Sequence, residues 1–414
     1  MSAGRVGALS LLALGINGVV GVGIFFTPNL IAALVPGGSG ALVYLATGAL
    51  LLPVALTFAA LGARVGLDGG PYVWARAAFG EPAAFAVGWV AAVSALLSTA
   101  AVIAGLREHL APALHIAEGP GRVAFAWGSV ALLSVVAAMG LRPSAWTWNA
   151  LTCVKLLPIA LLLLLAFVAQ PGRATEAPAA DSGGFGRALL IAVFPLQGFE
   201  AVPVLAGSAR GRRAISIATL GSLSFACALY ALIQLACVSA VPDLASHAAP
   251  LAAAAERVGG PSFMTLVSVG TNVSALATAF GMIVMTPRYI AALGASGRLG
   301  ALDSRQVPQM ALWGSAVVIA LLASSERLGS LFIVSSSAVL LQYLSAMASL
   351  GRLALRSDSS VSRLWLLPAM ASVGAVAFLA RAVELREVVM LSFALLLGAV
   401  VGVASARATR RRAR

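Results

Sequence analysis

A single lysine, Lys155, serves all 414 residues, and aspartate and glutamate together number only 14. Charged residues make up 10% of the chain, where soluble domains average roughly 25%. No polar stretch is long enough to hold a separate soluble domain, so an ordinary soluble fold is excluded. The lone lysine does not stand in a glycine-rich GK[ST] motif, which removes a nucleotide-driven pump. Cys153, Cys227 and Cys237 all lie in apolar runs and say nothing about disulfides or redox compartment. His109, His115 and His247 fall in loops without metal-ligand spacing, so neither a metal site nor a cofactor is expected. The His, Asp or Glu clusters that a membrane-embedded enzyme places at the membrane edge are missing, as are the charge rings and filter repeats of a channel.

What the chain has in quantity is apolar sequence, 60% of the total. The runs are long and continuous, unlike the alternating ten-residue segments of a β-barrel, so the spans must be helices. Breaks at charged, proline or glycine residues predict an all-α integral membrane protein of about twelve spans. They fall at 7–35, 41–63, 83–106, 122–141, 146–169, 187–207, 214–241, 262–292, 309–324, 328–351, 363–381 and 387–406. The first run continues past a signal-peptide h-region without a cleavage site and reads as a span. With the N-terminus inside, eighteen arginines fall on the cytoplasmic side and eight outside. That asymmetry predicts a multi-pass protein of the cell (inner) membrane with both termini cytoplasmic. The net charge of +13 therefore reflects topology rather than a nucleic-acid partner, and the basic tail 407–414 reads as a topology anchor against the lipid bilayer.

Two spans have unusual interiors. The first carries "GINGVVGVGIFF", with Gly18, Gly21 and Gly23, although each glycine weakens a helix by about 0.5–1 kcal/mol relative to alanine. The sixth carries "FPLQGFEAVP", where Pro195, Gly198 and Pro203 bracket Glu200 and proline removes helical hydrogen bonds. Such glycines also let helices pack closely. Breaks in the first and sixth spans fit two inverted five-helix repeats, and paired interruptions of this kind point to a transporter's binding site. A broken helix offers free N–H groups to an anion and free carbonyls to a cation, and an amino acid zwitterion carries both charges. The predicted units are 1–170 and 186–352 for the repeats, 360–406 for two additional helices, and the tail.

The motifs "GVGIF", "GGPYVWARAAFGEPAAFAVGW", "GFE" followed by "SARGRRAISIAT", and "PRYIAALGASGRLGAL" before Pro308 resemble the amino acid–polyamine–organocation superfamily of transporters. The usual Asn-Pro before the basic loop is absent, and valine stands at position 22 where many members have serine. The resemblance covers about the first three-quarters of the chain. It implies a LeuT-like fold with discontinuous first and sixth helices. It also implies that the amides of Gly21, Val22 and Gly23 receive the substrate carboxylate. Carbonyls of Val19, Phe194 and Gln197 at the break around Gly198 would receive the ammonium, and Phe194 would close over the substrate.

Lys155 lies about nine residues into the fifth span, roughly 14 Å deep at 1.5 Å per residue, where a charge costs about 2.5–3.5 kcal/mol even on the lenient scale. The resemblance matches it to the lysine that replaces sodium in sodium-independent members. Glu200 is shallower, and a structural hydrogen bond or a part in proton coupling or gating both fit it. No other carboxylate is expected within the membrane region, which favours a neutral amino acid over a cationic one. The expectation is a sodium-independent amino acid permease working by alternating access, as exchanger or proton symporter. A cationic amino acid or polyamine antiporter and an exporter are the alternatives, and protons are a possible co-substrate.

Overall fold

The computed structural model describes residues 7–21, 23–66, 70–139, 145–169, 182–204, 206, 209–293, 307–325, 328–356, 362–393 and 395–396. The fold is helical. In chain order the helices are α1 (Ala8–Val19), α2 (Gly23–Phe26), α3 (Pro28–Leu34), α4 (Gly40–Val65), α5 (Pro71–Phe79), α6 (Glu81–Ala113), α7 (Pro120–Ala138) and α8 (Ala145–Ala169). They continue with α9 (Ser182–Leu196), α10 (Ala201–Val204), α11 (Arg212–Ala240), α12 (Pro250–Leu293), α13 (Gln309–Ser325), α14 (Leu328–Leu355) and α15 (Leu366–Ala380). Residues 385–393 are helical again. Val22, the tail 407–414 and the side chain of Lys155 lie outside the described residues.

Among the described residues, seven helices are long and apolar enough to cross a membrane, and three shorter apolar helices accompany them. Proline opens α3, α5, α6 and α7, where its missing N–H costs no helical bond. The helix that contains the expected third span, 83–106, runs beyond it at both ends. α6 continues to Ala113 and carries His109 on its last turns, so that histidine is helical rather than in a loop. Arg107, Glu108 and His109 all find partners there, which is why an apolar run misjudges the end of the helix. In α12 the backbone turns at Gly260 (φ 77°) before Pro261, at the point where the apolar run begins, so a preceding arm joins the span.

The first span is broken twice. The glycines end α1 at Val19, and a second break at Thr27 leaves α2 only four residues long. Leu11–Phe26 and Pro28–Leu34 are inclined by 57°. The sixth span stops at Leu196 and resumes at Ala201. α4 lies along α11, with Gly48 against the Cys227 sulfur and Tyr44 edge-on to Tyr230. Small residues allow this approach in a membrane, where dispersion contacts replace the hydrophobic drive. α6 packs against α12, α13 and α14, while α1 lies on α11 and touches α10. Large apolar side chains such as Leu132, Leu164 and Met370 face outward, as a lipid environment allows.

Candidate functional site

The two broken spans meet backbone to backbone. Gly198, at φ +119°, faces the Gly18 peptide so closely that a Cβ there would lie 2.4 Å from the Gly18 carbonyl oxygen. Only glycine combines this φ with this approach. A Cβ at Gly23 would lie 2.7 Å from the Pro195 Cα, so α2 restarts directly against the last turn of α9. Both breaks thus form one layer of irregular backbone in the helical bundle.

Backbone freed by a break must find partners inside the protein. The Val19 carbonyl accepts from the Gly21 N–H at 2.6 Å and from the Tyr230 hydroxyl at 2.7 Å. The Pro28 carbonyl accepts from Gln234 Nε2 at 3.2 Å, and Thr27 Oγ1 meets the Tyr44 hydroxyl at 2.8 Å. At the other break, the Gln197 N–H donates to the Phe194 carbonyl at 3.2 Å, and the Gly198 N–H donates to Glu200 Oε2 at 2.8 Å. Glu200 therefore caps the break from its own side.

Beside these breaks runs a polar seam between helices. Ser98 on α6 meets Ser335 on α14 at 2.7 Å and donates to Gln197 Oε1 at 3.5 Å, and Thr99 meets Thr286 on α12 at 2.9 Å. The Gln197 Nε2 atom is buried and has no hydrogen-bond partner among the described residues. Phe194 is buried and stacks on Phe332 with ring centroids 4.1 Å apart. The arrangement offers amides, carbonyls, hydroxyls and one carboxylate, a set suited to hydrogen-bonding a small polar solute. Among the described residues no group of three His, Cys, Asp or Glu is placed to hold a metal ion.

The structure brings Val19, Gly21, Gly23, Phe194, Gln197, Gly198 and Glu200 together at the two breaks. Lys155 belongs to α8, which packs on α12 and touches α1. Tyr230 and Gln234 escaped the sequence analysis. They are an i, i+4 polar pair in the otherwise apolar "LYALIQLA" run, the spacing that puts two side chains on one helix face. Arg187 and Glu387 were also missed. Glu387 is buried and bidentate to Arg187 at 2.8 and 3.4 Å, joining α9 to the helix that begins at 385.

With this geometry in place, the family model described as "Amino acid permease" matches residues 6–405. The chain belongs to the amino acid permease family. This permease is thereby an integral, multi-pass membrane transporter, and the resemblance to the amino acid–polyamine–organocation superfamily holds over nearly the whole chain. It is 30% identical over 390 residues to an uncharacterized transporter of Mycobacterium tuberculosis, covering 90% of this chain and 84% of that one. An L-lysine transport protein of Corynebacterium glutamicum is 28% identical over 340 residues, covering 75% of this chain and 66% of the relative. An arginine/ornithine antiporter of Pseudomonas aeruginosa is 25% identical over 329 residues, covering 75% and 68%.

Proposed function

We propose that the permease is a sodium-independent secondary transporter of neutral amino acids, built as a LeuT-like pair of inverted five-helix repeats within twelve spans. Both termini face the cytoplasm of the cell membrane, in keeping with the arginine asymmetry. The substrate sits at the paired breaks, and the meeting of Gly18 with Gly198 carries this reading. Amides at Gly21, Val22 and Gly23 receive the carboxylate. The ammonium goes to carbonyls at Val19, Phe194 and Gln197. Gly21 N–H and the Val19 carbonyl are bonded to each other in this arrangement, so binding exchanges that short internal bond for two bonds to the substrate. Transport follows from rocking one bundle against the other about the broken helices. Lys155 supplies the positive charge that sodium supplies elsewhere, and Glu200 acts as the structural cap of the sixth-span break.

The sole carboxylate at the breaks among the described residues is Glu200, and it already holds the Gly198 N–H. A second substrate cation then lacks a dedicated partner, which supports a neutral side chain. A cationic substrate is the second reading, favoured by the names of the lysine and arginine/ornithine relatives.

The test is uptake of labelled amino acids into liposomes containing the purified protein. Runs with and without sodium, a proton gradient and internal amino acid define the coupling. Competition by leucine and serine, with little by lysine, arginine or ornithine, is the expected result. Dominant competition by the cationic set replaces the neutral reading with the second one. Strict sodium dependence removes the role given to Lys155, and no uptake of any amino acid removes the substrate class.

A further inference from the structure

A cavity of about 760 Å³ opens at the end of the bundle where α6 finishes and α7 and α14 begin. The arginine asymmetry puts this end outside. Among the described residues, three of its wall groups carry charge: Arg107, Glu108 and Arg122. Two of these are spent on structure. Arg107 donates to the Ala323 carbonyl near the end of α13 and to Glu108 at 3.2 Å, while Glu108 accepts the Leu328 N–H at 3.0 Å at the start of α14. Together they clamp the α13–α14 connection, each charge answering the helix end it faces.

Arg122 is different. Among the described residues its one ion pair is to Glu118, four residues back and 84% exposed, a pairing of little energetic value in water. Its Nε–H has no acceptor among the described residues, and the buried Ser324 hydroxyl on another wall likewise has no partner among them. The cavity is far larger than an amino acid needs, and among the described residues Arg122 is the wall cation held only by an exposed carboxylate. Its floor is the Phe26 ring, stacked on His109 at 3.9 Å and seated on Gly105, where a Cβ would meet the ring at 2.4 Å. Phe26 is the last residue of α2, the helix that begins at the glycine break. Cavity and break are therefore the two sides of one four-residue helix.

We propose that this cavity is an outer capture site, in which Arg122 takes the carboxylate of an incoming amino acid before it passes Phe26 to the breaks. The site rests on the transport reading above. Glu118 gives way because its exchange for a substrate carboxylate costs little, and Ser324 donates a second hydrogen bond. The Phe26–His109 stack separates the captured substrate from the breaks until α2 moves.

The experiment is influx into intact cells, compared with transport into inside-out vesicles, for wild type, Arg122→Gln, Arg122→Lys, Ser324→Ala and Glu118→Gln. With Arg122→Gln, influx at limiting outside substrate falls roughly tenfold, in keeping with the loss of one charge-assisted bond. Influx at saturating substrate is unchanged, and so is the KM measured at the cytoplasmic face. Arg122→Lys recovers part of the loss, Ser324→Ala loses less, and Glu118→Gln is as active as wild type or more so. High salt brings wild type toward Arg122→Gln, because exposed charges are screened. Unchanged limiting influx in both Arg122→Gln and Ser324→Ala overturns the site, as does an equal KM shift at both faces. If the wild type itself moves no amino acid, the transport reading falls and the site falls with it.

Discussion

Tyr230 donates its hydroxyl to the carbonyl of Val19 at 2.7 Å, so a helix distant in sequence holds the end of the broken first span. Tyr230→Phe keeps the ring, its edge-on contact with Tyr44 and most of its volume. A hydrogen bond of this kind is worth about 0.5–1.5 kcal/mol net. Substrate KM rises roughly threefold to tenfold, and the thermal midpoint drops by a few degrees at most. The check is uptake kinetics paired with a melting curve in the same detergent.

Gly198→Ala puts a methyl group into the Gly18 peptide and asks alanine to adopt φ +119°. The backbone strain alone is about 1–3 kcal/mol, and the clash adds to it. Uptake per folded transporter falls by more than tenfold. Gly18→Ala, whose Cβ would lie 3.2 Å from the Gly198 carbonyl oxygen, falls less. Initial uptake rates normalised to the monodisperse fraction decide the order, and a Gly18→Ala loss larger than that of Gly198→Ala contradicts it.

Glu200 caps the Gly198 N–H through one carboxylate oxygen. Glutamine keeps that acceptor and alanine removes it. Glu200→Gln retains uptake within roughly threefold, whereas Glu200→Ala loses about tenfold, as expected for an unsatisfied buried N–H. Loss of proton-gradient stimulation in Glu200→Gln alone transfers the residue from capping to coupling.

Arg187 and the buried Glu387 form a bidentate pair, with the Ala382 carbonyl as a further acceptor for Arg187 at 2.8 Å. Removing Arg187 leaves the buried Glu387 carboxylate without its cation and with the Glu384 N–H as its remaining donor among the described residues. Arg187→Met therefore destabilises by about 3 kcal/mol, near the low end of the range for buried pairs because a fifth of the Arg187 side chain is exposed. The double variant Arg187→Met, Glu387→Met is more stable than either single one. Melting curves of the four proteins read the coupling directly.

Lys155→Ala removes the one lysine side chain of the sequence from the predicted fifth span. On the proposed role, uptake or exchange stops and added sodium does not restore it. Unchanged exchange in this variant ends the sodium-substitute reading.

The sequence alone determined that the chain lives in a membrane as helices, because 60% apolar residues in long runs admit no other way to satisfy the backbone. It also located both breaks, since Gly18, Gly21 and Gly23 and the Pro195–Gly198 pair weaken helices locally, whatever surrounds them. Tertiary structure decided what no local signal carries. The second break at Thr27, the hold of Tyr230 on Val19, and the Arg187–Glu387 pair depend on which helices end up side by side. So does the extension of α6 through Arg107, Glu108 and His109, three polar residues that read as a loop until their partners on α2, α13 and α14 stand next to them. Hydropathy measures each residue against lipid, whereas a polar side chain inside the bundle is priced by the partner it meets there.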